Sequence, residues 1–269
     1  MEIDLTNTWG EPTIYKGIKL YPIQMEKCVS FFKNVGCLTI QKNNISDIEI
    51  IQMSYLNFLL IVGIVNNEVL NAFNKVMSLV LREQKLVFLL DDKEYDINNL
   101  RDFIEYMGLK DRMNINKIRM KVYTDENEIT ITDTDFEKIR RIICEQNTIE
   151  IDDMVLPEQI QKAVEEAEEF VDDGNNPTLE EQIIALACIS GNITRMNEIK
   201  KMTIYQFITA LKRYNLIESS RVYGSAIATG MVEIKGDIPT WLSPTPKQNS
   251  LDRVTESGDK LEEFKGMME

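Results

Sequence analysis

The sequence predicts an α+β protein, with short antiparallel hairpins among helices in the N-terminal half and a mainly helical C-terminal region. Three observations carry this. Apolar residues alternate around polar turns at two places before residue 147, the two-residue period of half-buried strands, and a third apolar run, Lys85–Leu90, has no helical period and is bounded by Asp91-Asp92. Four Ser/Thr-x-x-Glu/Gln stretches precede apolar runs, the pattern in which two side chains and two free backbone N–H groups satisfy one another at a helix start. After Asn147 the alternation stops, and charge separates into an acidic and then a basic stretch.

Thr13 to Tyr21 alternates around Lys16-Gly17 and suits a hairpin that Pro22 ends. From Ile23 to Leu38, Met25, Val29, Phe32 and Val35 fall at helical spacing. Ser46-Asp-Ile-Glu49 opens a helix whose stripe runs through Ile48, Ile51, Tyr55, Phe58, Leu59 and Val62, and a second helix covers Glu68 to Arg82. The apolar run Tyr55–Val65 is too short for a span of about 20 residues and reads as a core helix. Lys85–Leu90 with Glu94–Ile97 forms a hairpin followed by a short helix up to Gly108. Ile118–Tyr123 and Glu128–Thr132 form another around Thr124-Asp-Glu-Asn127. Thr134-Asp-Phe-Glu137 then opens a helix with Phe136, Ile139 and Ile143 on one face.

These elements define a mixed domain over residues 1–147. A helical domain follows over 150–242, with a flexible tail over 243–269. Glu150 to Asp173 holds ten acidic residues and one base, with a narrow seam of Leu156, Ile160, Ala163, Ala167 and Phe170. It reads as a solvated helix face or as a nucleic-acid mimic. Asp172 to Pro177 is a linker. Thr178-Leu-Glu-Glu181 and Thr203-Ile-Tyr-Gln206 open two further helices. Residues 194–221 carry six bases against two acids.

The chain has no histidine, which removes Ser-His and Cys-His activation and His-based zinc sites. Gly-rich phosphate loops and the Gly-x-Ser-x-Gly elbow are missing too. The carboxylate pairs Asp91/Asp92, Asp152/Asp153 and Asp172/Asp173 sit where solvated turns are usual, so no metal and no cofactor are expected. A net charge of −14 disfavours a nucleic-acid partner, which needs dense Lys/Arg stripes. Cys28, Cys37, Cys144 and Cys188 have apolar neighbours and no Cys-x-x-Cys spacing, which suggests buried, reduced thiols. The N-terminus carries no secretory pattern, and no membrane association is expected. The expected class is a non-enzymatic binding or assembly protein.

The candidate contact residues are Tyr205, Arg213 and Trp241, because Tyr, Arg and Trp combine large area with polar handles. Trp241 follows Pro239, and either pins the C-terminal segment to the helices or anchors in a partner pocket. The succession Leu179–Leu186, Ile199–Phe207, Leu211–Arg213, Thr229–Lys235 and Ile238–Leu242, together with Phe136–Asn147, resembles tail-gene proteins of phages of low-GC Gram-positive hosts, akin to tail assembly chaperones. The resemblance implies a tail assembly chaperone or structural tail component, in the host cytoplasm or the virion, with a tape-measure or tail-tube protein as partner and self-association allowed. The alternative is a phage inhibitor that binds a host defence or transcription protein through its acidic surface.

Overall fold

A computed structural model describes residues 5–42, 48–90, 93–96, 118–151, 153, 177–189, 196–229 and 240–243. The chain divides into a first unit, Met1–Met154 with Asn197–Phe207, and a second, Val155–Met196 with Ile208–Glu269. The expected mixture of helices and short antiparallel sheets is present.

The first unit opens with one helical turn, α1 (Thr6–Trp9), and a hairpin of β1 (Thr13–Tyr15) and β2 (Ile18–Leu20). Its turn needs positive φ at both central residues, +51° at Lys16 and +89° at Gly17. The stretch expected as one helix from Ile23 to Leu38 is a 3-10 turn (Met25–Lys27), α2 (Cys28–Asn34) and a second 3-10 turn (Val35–Leu38). Its buried face is Cys28, Phe31, Val35 and Leu38, while Val29 and Phe32 of the expected stripe point to solvent. Both stripes have helical period, and the thiol of Cys28 packs as a small hydrophobe on the side that won.

The helix expected to run from Ser46 through Val62 is two helices, α3 (Ile48–Gln52) and α4 (Tyr55–Val65). Ser54 breaks it by accepting the Asn57 N–H at 3.2 Å, a side-chain cap that starts a new helix. The capping serine expected at position 46 lies outside the described residues. α5 (Asn67–Leu81) begins behind Asn66, whose side chain accepts the Glu68 N–H. α4 and α5 cross closely: a Cβ on Gly63 would lie 2.5 Å from Leu70 Cγ.

The four-stranded antiparallel sheet has the order β4 (Lys93–Tyr95), β3 (Lys85–Leu90), β5 (Arg119–Tyr123), β6 (Glu128–Ile131). Both expected hairpins are therefore present. The helix expected up to Gly108 lies outside the described residues. Phe88, Met120 and Ile131 share one row of the buried face. Phe73 of α5 meets the Phe88 ring at 6.4 Å between centroids and Phe136 of α6 (Asp133–Gln146) at 5.8 Å.

α6 is capped by Thr132 and Asp135, not by the expected Thr134 and Glu137. The cap shifts because Asp135 does more than cap. Its Oδ2 accepts the Thr132 N–H and hydroxyl, and its Oδ1 accepts the Tyr15 hydroxyl and Lys16 Nζ, both at 2.7 Å. Glu137 is instead held by Arg140 and Arg141. Burial by itself would raise the Asp135 acid, but hydrogen bonds from Lys16, Thr132 and Tyr15 outweigh it and hold the carboxyl well below the usual range.

Further along α6, Arg140 is only 1% exposed. Its Nε donates to the Leu38 carbonyl at 2.6 Å, its Nη atoms reach Glu137 and Asp153, and its plane stacks 3.6 Å from the Tyr55 ring centre. At the C-terminus of α6, Gln146 Nε2 donates to Thr13 Oγ1 and the Leu20 carbonyl, while Asn147 Oδ1 accepts the Ile23 N–H.

A later part of the chain completes this unit. α8 (Met196–Lys201) and the start of α9 (Ile204–Ala228) bring Ile199, Ile204 and Phe207 into its core. The Met25 N–H donates to the Met202 carbonyl, and the Ile204 N–H to the Ile23 carbonyl. Thr203 and Gln206 form the expected capping box, and Gln206 also donates to the Thr8 carbonyl.

In the second unit, α7 (Leu179–Ile189) starts at the expected Thr178–Glu181 box. The acidic seam from Leu156 to Phe170, the acidic linker residues and the tail beyond Ser243 lie outside the described residues. Cys28, Cys37 and Cys144 are buried as expected, and burial pushes the Cys37 and Cys144 thiols up to about 12. Cys188 departs from the expectation and is exposed, because α7 buries Ala187 and turns its neighbour outward.

Two outcomes follow. Arg140→Lys should lose about 2–4 kcal/mol in urea unfolding, nearly as much as Arg140→Ala, because an ammonium cannot reproduce the bidentate fork or the stacking on Tyr55. Asp135→Asn should lose about 2 kcal/mol at neutral pH. Because the folded Asp135 acid lies below its unfolded value, its contribution is full above about pH 4 and fades as pH falls through the folded value, so the wild-type and Asp135→Asn unfolding curves should converge in acid.

Candidate protein-binding site

The three residues singled out from sequence divide between the units. Tyr205 lies in the first turn of α9, half-buried, beside the core anchors Ile204 and Phe207 of the first unit. Arg213 and Trp241 belong to the second, and there they are brought together. Arg213 Nη1 donates to the Trp241 carbonyl at 3.0 Å and to the Ser243 carbonyl at 2.8 Å.

Those bonds hold a tight turn over residues 240–243. The turn also closes on itself, with the Ser243 N–H donating to the Thr240 carbonyl and the Thr240 N–H to Ser243 Oγ. A charged donor to two carbonyls is worth more than a neutral one. Arg213 touches the backbone of the turn, so both side chains at its tip are free to project. Trp241 is 58% exposed and Leu242 70%.

The rest of the described second unit is similarly open. Ala187 is its one buried apolar residue among those described, whereas Ile184, Ile189, Val222, Tyr223, Ile227, Trp241 and Leu242 are large and exposed. Val222 is 64% exposed, and Tyr223 and Ile227 lie one helical turn apart. Large apolar side chains exposed in this number are a feature of interaction surfaces. Sequence reasoning missed Val222, Tyr223 and Ile227. A helix of 25 residues with only two buried side chains, both in its first turn, could not be told from a core helix by periodicity.

Among the described residues no group of three or more potential metal ligands occurs, and no helix is long and apolar enough to cross a membrane.

A family model described as YomV second domain matches residues 171–245. The family is phage-associated, and the match is consistent with a phage protein. The matched stretch contains Tyr205, Arg213 and Trp241 along with α7, α8 and α9. No curated protein and no solved structure matches the chain.

Arg213→Ala should free the turn without unfolding the protein. In a Trp9→Phe background, the steady-state anisotropy of Trp241 should fall toward that of a flexible chain while the far-ultraviolet CD spectrum stays unchanged. An unchanged anisotropy would show that the turn holds itself.

Proposed function

We propose that the protein is a non-enzymatic phage protein of tail morphogenesis, working in the host cytoplasm by holding an apolar segment of a tape-measure or tail-tube protein. The observation that carries this reading is the contrast within the second unit: one buried apolar residue against seven large exposed ones among those described. The phage-associated match over the same region supports it. The absence of histidine removes the commonest general base, and the tight hydrogen-bonded clusters of Asp135 and Arg140 are occupied by the protein's own groups.

The mechanism is burial of apolar surface. Trp241 and Leu242, presented on a turn braced by Arg213, supply a rigid anchor with little side-chain entropy to lose. Val222, Tyr223 and Ile227 are further large apolar side chains exposed in the same unit. A net charge of −14 keeps a protein with such a surface soluble and selects against indiscriminate association. Tyr205, half-buried beside core residues, is a contact of lesser weight.

The test is co-expression with the tail-tube and tape-measure proteins of the same phage. The tagged full chain should retain one of them, and Trp241→Ala with Leu242→Ala should weaken capture at least about tenfold with an unchanged CD spectrum. Failure to retain either protein, together with absence from tail precursors and virions by mass spectrometry, would overturn the reading.

A further inference from the structure

β6 is an edge strand, and its register shows which of its backbone groups face outward. The Thr124 N–H donates to the Asn127 carbonyl and closes the β5–β6 turn. Antiparallel pairs then alternate between hydrogen-bonded and non-hydrogen-bonded. Tyr123↔Glu128 and Lys121↔Thr130 are of the second kind, Val122↔Ile129 and Met120↔Ile131 of the first. The N–H and C=O groups of Glu128 and Thr130 therefore point away from β5. Among the described residues nothing bonds them, and both residues are exposed.

The outer edge of β2 is treated differently. There the Gln84 carboxamide accepts the Lys19 N–H at 3.0 Å and donates to the Lys19 carbonyl at 2.6 Å, standing in for a neighbouring strand. Among the described residues, β6 has no such cover.

We propose that β6 pairs with β6 of a second copy of this chain, antiparallel about a two-fold axis, joining the two sheets edge to edge. The sequence is self-complementary in one register. Glu128 falls opposite Thr130 of the second copy and Thr130 opposite its Glu128, so all the outward groups bond reciprocally. Ile129, half-buried, meets Ile129 of the second copy in a close non-hydrogen-bonded pair. Shifting the register one way sets Glu128 against Glu128, two like charges face to face. Shifting it the other way sets Glu128 against Thr132, whose N–H already donates to Asp135. In the favoured register each Glu128 keeps its own counter-ion, Lys121, at 3.1 Å. The edge is short, so the dimer is weak and concentration-dependent.

Sedimentation of the full chain from about 5 to about 200 µM, the range suited to a small transient interface, tests this. The weight-average mass should climb from one chain toward two. Thr130→Pro, which removes an outward N–H that serves nothing within the chain, should stay at one, and Trp241→Ala should still dimerise. Independently, Ile129→Cys in a Cys188→Ser background should cross-link to a dimer on mild oxidation, whereas Glu126→Cys in the turn should not. A constant single-chain mass for the wild type, or a dimer that neither forms the Ile129→Cys cross-link nor responds to Thr130→Pro, would overturn the proposal.

Discussion

The first unit is organised around a buried cation. A guanidinium taken out of water is tolerated only where its donors are met and its charge is balanced. Arg140 meets that condition by drawing three other pieces of chain to its own helix: the Leu38 carbonyl after α2, the Tyr55 ring at the start of α4 and Asp153 beyond α6, with Glu137 one turn before it on α6. None of these contacts is interchangeable with an apolar one, because each satisfies a donor or a face of the same planar group. The two ends of α6 work similarly. Asp135 holds the β1–β2 turn at one end, and Gln146 and Asn147 hold the chain leaving β2 at the other. One helix thereby fixes the hairpin and the approach to α2 through directional bonds, while the Phe73, Phe88 and Phe136 cluster supplies the non-directional packing.

The second unit contrasts with this economy of satisfied groups. Its described helices carry exposed apolar side chains, and the turn at 240–243 is held by an arginine that spends its donors on carbonyls. Polar groups there build a frame, and the apolar groups are left available. The proposed role of holding another chain fits this division, since side chains committed to a protein's own core cannot contact a partner. The β6 edge is a different resource: unpaired backbone groups recognise only extended chain of matching register.

The elements that were legible in the sequence are those whose signals act over a few residues. The Thr178–Glu181 and Thr203–Gln206 boxes close on neighbouring atoms, so tertiary packing has little power to move them. The hairpins at Gly17 and around Asp125 are legible for the same reason. The errors fell where two local solutions were close in energy. Thr132–Asp135 competes with Thr134–Glu137 as a cap, and the hairpin turn settled the matter by donating to Asp135 from 120 residues away. Of the expected stripe Met25, Val29, Phe32 and Val35, Met25 and Val35 are buried, but Cys28 and Phe31 take the buried places of Val29 and Phe32, and the surface offered by neighbouring elements chose between them. Of the contact candidates, Arg213 and Trp241 were chosen as chemical types, and their union through a backbone carbonyl had no signature in sequence.

By itself the sequence determined the mixed fold class, the hairpins, the helix starts with unambiguous caps and the loss of histidine chemistry, because each depends on residue identity within a turn or two. The tertiary structure decided which face of α2 is buried, where the helix through Ser54 breaks and why a buried arginine is tolerated. It also decided that Asn197–Phe207 returns to complete the first unit and that the fully buried side chains of α9 are confined to its first turn. Those outcomes depend on what each segment meets across long chain separations. Periodicity reports that a face is apolar, and only the arrangement of the other elements reports whether anything lies against it.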